Sequence, residues 1–342
     1  MIIEVCKEVD KPKLLDFLKT YWKEDHILVK SPEFLEWQHG NSSKGLNFMI
    51  AKDSDDEILA IYGFIPQSHF DNDIPYKYGK NEAWGAIWKI RPDCRIPGLG
   101  VHVLRKVFAQ FDFVCGIGLS DMSKKIYQSM KCEMHNMRQY YVLNPSIQDF
   151  HIAEVYSHDY TLINTYKSNI EIKDIQNVRD IKLEHKYRPI KTVTYLLNRY
   201  VNHPVYNYQF IGCYSNEEIK CILVYRIITV GGRTCARIVD IYGDIDNIKG
   251  LGFKLQEYLS SKPNMEYFDI YNYGLDEDIF IKNGFKEVIY NQKNIIPNYF
   301  EPFVKKNVDL QFFYLSKEKD TRYVLFKGDS DQDRPNYFIP KH

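Results

Sequence analysis

Surplus charge is the first thing this sequence lacks: of its 342 residues, 45 are Lys or Arg and 45 are Asp or Glu, so the formal net charge is zero. Without an excess of either sign, no field draws the chain toward nucleic acid or an anionic membrane, and a neutral or nucleotide-linked small molecule is the expected partner. Long apolar runs are missing too. No stretch approaches the ~20 residues of a membrane span. The opening "MIIEVCKEVDKPKLLDF" carries charges every few residues instead of the apolar centre of a signal peptide. These features predict a cytoplasmic protein without a membrane span. Cysteine is scarce and scattered: seven residues (Cys6, Cys94, Cys115, Cys132, Cys213, Cys221 and Cys235), odd in number and with no CxxC pair. They read as buried thiols in strand-like segments, which argues against a disulfide framework and against a zinc or other metal site. Aromatic residues are plentiful at 15%, with 27 tyrosines, and rings with a polar tip suit both large cores and sugar-binding clefts.

At roughly 150 residues per domain, the length suits two domains and an extension. A pass along the chain finds the same unit twice. The first gives a strand near 2–5, helices near 11–24 and 32–39, and strands at 46–51, 57–66 and 83–91. A helix from about 99 follows, then a strand at 112–118, a short helix at 121–130 and a strand near 134–143. The second gives helices near 176–185 and 191–201, the strands "YQFIGCY", "IKCILVYRIITV" and "ARIVDIYG", and a helix from about 249. The strand "YFDIYNY", a short helix near 276–283 and "FKEVIY" complete it. Within this order Gly98-Leu99-Gly100 recurs as Gly250-Leu251-Gly252, each opening the long helix, and Tyr127 and Phe280 follow at nearly equal intervals. Two glycines before a helix with no acidic first turn free several backbone N–H groups for an anion, with the helix dipole adding to the attraction. Glycines there are also common turn residues, but their recurrence in one register argues for more than a turn.

The turn Arg95-Ile96-Pro97-Gly98-Leu99-Gly100, followed by a strand and a short helix bearing "IYQSMKC" (126–132), resembles the acetyl-coenzyme A site of the GNAT N-acetyltransferase superfamily. In the second copy "NIKGLG" (247–252) has Asn247 in place of Arg or Gln, and "IFIKNGF" (279–285) keeps Gly284-Phe285 but has Phe280 in place of the tyrosine. The first copy keeps Tyr127 and has Lys131-Cys132 where Gly-Phe is usual. More narrowly, "SPEFLEWQHG" (31–40), "YGFIPQ" (62–67), "NRYVNHPVYNYQF" (198–210) and "ARIVDIYG" (236–243) are similar to tandem-GNAT proteins of bacterial surface-glycan clusters. Those are generally taken to acylate nucleotide-linked amino sugars, including legionaminic-type precursors.

The resemblance implies an α+β (mixed α/β) fold of two tandem GNAT-like units, each a mixed central sheet flanked by helices. It implies an acetyl-CoA-binding domain at 1–150, a degenerate acceptor-binding domain at 151–295 and an extension at 296–342. Acetyl-CoA is then the acyl donor and a nucleotide-linked amino sugar the acceptor. The coenzyme's pyrophosphate maps onto the backbone from Arg95 through Ile96, Pro97, Gly98 and Leu99 to Gly100, with Val101 adding an N–H and Arg95 a cation. The pantetheine arm maps onto the strand at 86–91, with Trp88, Lys89 and Ile90 nearest the thioester. Tyr127 is the candidate acid for the departing thiolate, because a phenol stays protonated at neutral pH. Glu82 is the leading candidate base, ahead of His69 and His102. Arg226, His203, Tyr206, Tyr208 and Asp240 are candidate acceptor contacts. Each also has an ordinary reading as a surface acid, a satisfied histidine or a packing tyrosine. Two alternatives stand beside this one. A tandem-GNAT aminoacyl transferase of cell-wall peptide synthesis is disfavoured by balanced charge and the lack of a coiled-coil insertion. A non-catalytic binding protein is kept open by the incomplete motifs.

Overall fold

The computed structural model describes residues 1–74, 81–156, 168–289, 293–318 and 321–337. Its strands are β1 (Ile2–Val5), β2 (Phe48–Lys52), β3 (Ile58–Pro66), β4 (Glu82–Ile90), β5 (Phe113–Ile117), β6 (Glu133–Asn136) and β7 (Arg138–Leu143). These are followed by β8 (Glu171–Ile175), β9 (Gln209–Ser215), β10 (Glu218–Val230), β11 (Arg233–Gly243), β12 (Met265–Tyr273) and β13 (Lys286–Glu287). The short pair β14 (Tyr299–Phe300) and β15 (Phe303–Val304), then β16 (Gln311–Ser316) and β17 (Leu325–Phe326), complete them. The helices are α1 (Lys11–Phe17), α2 (Ile27–Lys30), α3 (Pro32–His39), α4 (Leu99–Phe108), α5 (Asp121–Ser129), α6 (Val193–Leu196), α7 (Leu251–Ser260) and α8 (Asp278–Ile281).

Two mixed sheets carry the fold. The first runs β1-β2-β3-β4-β5-β16-β6 and the second β13-β7-β12-β11-β10-β9-β8, with β17 attached to β12. The halves exchange strands. β7 follows β6 directly in sequence but belongs to the second sheet, and β16, from late in the chain, lies between β5 and β6 of the first. The single strand read near 134–143 is therefore two, broken at Met137, which is buried at the crossing and donates its N–H to Leu310 O at 2.8 Å. The intervals 1–150 and 151–295 consequently do not coincide with the sheets.

The helix expected near 176–185 does not form. Asn177 Oδ1 accepts from Arg179 N at 2.9 Å, so side-chain turn chemistry sets the backbone, while the periodic Val178, Ile181 and Leu183 pack as an irregular strap on the core between the halves. The strand "FKEVIY" shortens to β13, and its last residue, Tyr290, lies outside the described residues.

Helix α4 follows its sequence pattern. Leu99, Val103, Leu104, Val107 and Phe108 recur at helical spacing and are buried against β2, β3 and β4, each removal from water stabilising by roughly 1.5–3 kcal/mol at most. The seven cysteines are free thiols, all but Cys94 buried. Among the described residues no helix is long and apolar enough to cross a membrane.

Candidate active site

Strands β4 and β5 pair in parallel at Glu82 with Phe113, Ala83 with Val114 and Trp84 with Cys115, and no further. Beyond Trp84 they diverge, while β3 holds the other edge of β4 and β16 takes the whole of β5. The wedge between them opens into a cavity of about 420 Å³ whose walls include Tyr62, Gly85, Trp88, Ile90, Gly116, Tyr127 and Phe313. A bulge aims these side chains. Tyr62 faces Trp88 and Phe64 faces Gly85, so Ala86 and Ile87 together oppose Gly63. The extra residue shifts the alternation by one. Ala83, Trp88 and Ile90 then pack with the α4 core, whereas Trp84 and Ile87 face the other way.

At the wide end of the wedge lies the start of α4. Gly98 adopts a left-handed conformation (φ 72°) that an L side chain resists, and a Cβ on Gly100 would lie 2.7 Å from Ile90 Cδ1 and 2.8 Å from Trp88 Cζ2. The glycines thus let the helix end sit against β4 and expose its backbone. The N–H groups of Gly98, Gly100 and Val101 have no hydrogen-bond partner among the described residues. Ile96 and Pro97 are exposed, Lys89 is half-buried, and Arg95 is exposed with Nη1 3.2 Å from Pro92 O. Trp88 Nε1, buried in the cavity wall, has no partner either. The residues expected to meet the coenzyme are therefore brought together around one wedge and one helix start.

The candidate acids and bases are not all brought there. Tyr127 is: its ring stacks on Phe313 with centroids 3.6 Å apart and lies 5.8 Å from Trp88. Burial holds its pKa well above the ordinary tyrosine range, with the neighbouring Tyr62 hydroxyl pulling the other way. Tyr62 itself escaped the sequence reading. Its hydroxyl is buried in the wedge without a well-formed hydrogen bond and lies 2.1 Å from where a Cβ on Gly85 would stand. A glycine inside a strand otherwise rich in large residues was the available signal that something approaches closely there.

Glu82 lies on the opposite face of β4, which is turned toward the second half of the molecule. It is 1% exposed, and its Oε1 accepts from Arg188 Nε at 2.9 Å and Nη2 at 2.5 Å, while Oε2 has no partner. Burial raises its pKa to about 6, against the opposing charge of Arg188 and with help from Glu318 and Asp329. His69 does not line the wedge: its Nε2 is 2.6 Å from Trp37 O, and burial lowers its pKa. His102 is exposed on α4, one turn past Gly98, and also stays outside the wedge.

The second copy repeats both features and closes both. Gly250 is left-handed (φ 82°) at the start of α7, but its N–H donates to Asn283 Oδ1 at 2.6 Å, and Gly252 N donates to Asn283 O at 2.8 Å. Strands β11 and β12 pair in parallel as far as Ile238 with Ile270 and then part, and β17 pairs with β12 at Asn272 and Tyr273 inside that gap. A Cβ on Gly328 would lie 2.7 Å from Val239 O, so the chain following β17 runs directly against β11. Lys191 fixes this segment, with Nζ 2.7 Å from Asp240 Oδ1 and 2.6 Å from Asp329 Oδ1, all three side chains out of solvent. Phe280 stacks on Tyr140 (4.3 Å) as a core residue. A depression of about 800 Å³ lies outside this closed wedge, lined by Asp246, Asp276 and Asp278 together with Lys249, Lys282 and Arg322.

Of the expected acceptor contacts, four cluster. Arg226 Nε is 2.9 Å from Asp333 Oδ1, and Tyr208 donates to Asp333 Oδ2 at 2.7 Å. The Tyr206 ring lies 4.3 Å from the Arg226 guanidinium and stacks on His203. His203 Nδ1 accepts from Tyr206 N at 2.8 Å, and Tyr206 donates to Glu301 at 2.7 Å. Asp240 stands apart, sealed with Lys191 and Tyr200, and presents no free edge to a ligand. Among the described residues, no group of three or more His, Cys, Asp or Glu side chains is placed to hold a metal ion.

The sequence matches no family model and no curated protein. Solved structures do resemble it. A GCN5-related N-acetyltransferase from Anabaena variabilis is 10% identical, with 91% of this chain and 72% of that chain covered at a TM-score of 0.51. A conserved protein of unknown function from Enterococcus faecalis is 12% identical, with 91% and 71% covered at 0.54. At such identities the likeness is one of fold: this chain has the GCN5-related N-acetyltransferase fold, built twice and interleaved.

The closure of the second copy generates a first test. Asn283→Ala removes the acceptor for Gly250 N and should lower stability by about 0.5–2 kcal/mol, as loss of a helix N-cap does. Urea unfolding would read this, and an unchanged midpoint would contradict the capping role.

Proposed function

We propose that the chain is an N-acyltransferase that takes the acetyl group of acetyl-CoA at the first copy and transfers it to an amine of a small molecule approaching from the second. The observation that carries the reading is the first wedge: a parallel strand pair left unpaired beyond Trp84, beside three unpartnered helix-start N–H groups. A pantetheine arm has amides that can pair with a free strand edge, and a pyrophosphate suits free N–H groups at a helix start. The acceptor class we favour is a nucleotide-linked amino sugar of bacterial surface-glycan synthesis. Its support is the zero net charge and the resemblance of the aromatic-rich phrases quoted above.

In this reading the amine nitrogen attacks the thioester carbonyl, a C–N bond forms, the C–S bond breaks, and the nitrogen's proton leaves for Glu82 through a water. Glu82 is suited because a carboxylate with a pKa near 6 is ionised at neutral pH yet more basic than an ordinary one. The thiolate leaves toward Tyr127, whose protonated hydroxyl donates a hydrogen bond and supplies the proton. With its pKa raised, Tyr127 acts more as a donor to the thiolate than as a strong acid. Tyr62 and Trp88 Nε1 are further polar groups in the wedge wall, together with Lys89, Ser120 and Ser123.

Two measurements test this. Gly98→Glu puts a carboxylate into the helix start, where an added side chain meets only His102 at 3.9 Å. Loss of two charge-assisted hydrogen bonds at about 1.5–3 kcal/mol each predicts at least about a hundredfold weaker acetyl-CoA binding by calorimetry. Gly98→Asn, which tolerates the backbone and adds no charge, should bind within a few-fold of the parent. Unchanged affinity in Gly98→Glu would contradict the assignment.

The second measurement is the pH profile of kcat/KM. The base must be ionised, so activity should fall about tenfold per pH unit below an apparent pKa of about 6. Arg188 opposes burial at Glu82, so Arg188→Met should move this limb to higher pH, whereas Glu82→Gln should abolish it and lower the rate by ~10²–10⁴. An identical limb in Glu82→Gln would remove Glu82 from the mechanism.

A further inference from the structure

A small cavity of about 70 Å³ lies where the segment after β17 crosses between the two halves, lined by Arg226, Arg237, Asn298, Lys327 and Gln332 among others. It is rich in donors that the protein does not use. Arg226 is held by Asp333 through Nε alone, and its two terminal nitrogens have no hydrogen-bond partner among the described residues. Asn298 is 3% exposed, yet its Nδ2 is unpartnered. Lys327, 4% exposed, donates to Asn298 Oδ1 at 2.5 Å and has no carboxylate within ion-pair distance among the described residues. Arg237, behind them, is already spent on Asp269 and on the carbonyls of Pro297 and Asn298. The acids in its lining are likewise committed, Asp331 to Arg334 and Glu301 to the Tyr206 hydroxyl and Asn336 N, and Asp333 beside it is held by Arg226 and Tyr208.

A buried lysine without an acid, a buried amide with free hydrogens and an arginine with a free fork converge on one space. Leaving the buried Asn298 Nδ2 unmatched is unfavourable, and an oxyanion would satisfy it together with Lys327 and the free fork of Arg226. Burial, reinforced by Arg237 and Arg226 and opposed by Asp333 and Asp269, holds the Lys327 pKa well below the ordinary lysine range, so the cavity by itself favours the neutral amine and an arriving anion would favour the ammonium. The volume is about that of two water molecules, which suits one compact group and excludes a sugar ring. Gln332 forms the far wall, and its Nε2 donates to Ile117 O at 2.8 Å, a carbonyl in the wall of the β4–β5 wedge. A ligand anchored in the cavity is thus one side chain from the wedge.

We propose that this cavity binds a carboxylate or phosphate group of the acceptor, with Asn298, Lys327 and Arg226 as its donors, so that the acceptor is an anionic amine. The proposal rests on the acyl-transfer reading for its biological meaning, but it is tested by binding alone.

Inorganic phosphate and malonate are the probes, titrated into the full chain saturated with coenzyme A so that the start of α4 does not compete. Thermal midpoint and calorimetric Kd are read at constant ionic strength. Either anion should raise the midpoint, phosphate the more strongly if the acceptor's group is phosphoryl and malonate if it is a carboxylate. Asn298→Asp keeps the oxygen that Lys327 uses and replaces the free donor by a negative charge, so it should weaken the preferred anion at least tenfold. Lys327→Met should do the same. Absence of a shift with both anions, or an unchanged Kd in both variants, overturns the proposal. Coenzyme affinity measured in the same samples keeps the two readings apart: coenzyme that binds while neither anion does sinks this proposal alone. Coenzyme that fails to bind sinks the acyl-transfer reading, and the dependence on Asn298 still decides the cavity.

Discussion

A parallel strand pair that comes apart partway along must account for the backbone groups it strands. This constraint organises the whole molecule. Buried backbone N–H and C=O groups are almost always paired, so each wedge in a sheet is an unfinished hydrogen-bonding surface awaiting an occupant. The chain makes two such wedges. In one, β17 enters and pairs with β12, and Asn283 satisfies the helix start beside it. In the other, between β4 and β5, no strand enters among the described residues and the helix start keeps its N–H groups free. The difference between an open wedge and a structural joint here is whether the protein's own chain has completed the ladder.

The same closure ties the two halves together. β16 finishes the first sheet before the chain continues into the second as β17, and β7 has already crossed the other way. Buried ion pairs hold the crossing segment: Lys191 with Asp240 and Asp329, and Arg226 with Asp333. Removing one partner from such a pair leaves an uncompensated charge, at a cost of about 3–5 kcal/mol, so the segment is fixed in register even where the pairs add little net stability. Its position also brings Gln332 against the first wedge, where its Nε2 donates to Ile117 O.

Much of this was legible in the residues. The duplicated Gly-x-Gly fixed both helix starts, and the strand alternation located β3, β4, β10 and β11 within a residue or two at most ends. Trp88 and Ile90, which the family resemblance assigned to the coenzyme, lie in the wall of the first wedge, and Gly98 to Val101 form the helix start beside it. What was not legible depends on contacts between distant segments. Nothing local distinguishes Met137 as a crossing point, since its burial comes from the strand exchange. The apolar spacing of Val178 and Ile181 reads as helical until the turn made by Asn177 intervenes. Asp240 and Tyr208 are polar residues near a cleft in sequence terms, but partners far along the chain, Lys191 and Asp333, consume them. Tyr62 was missed because its place depends on Gly85, one strand away.

Counting bound coenzyme tests the central claim most directly. If one wedge is open and the other completed by the chain, calorimetric titration with acetyl-CoA must saturate at one molecule per chain. Two molecules per chain would mean that β17 and Asn283 yield to the ligand and that the second wedge is a site after all. None would mean that the unpaired edge of β4 serves something other than coenzyme A.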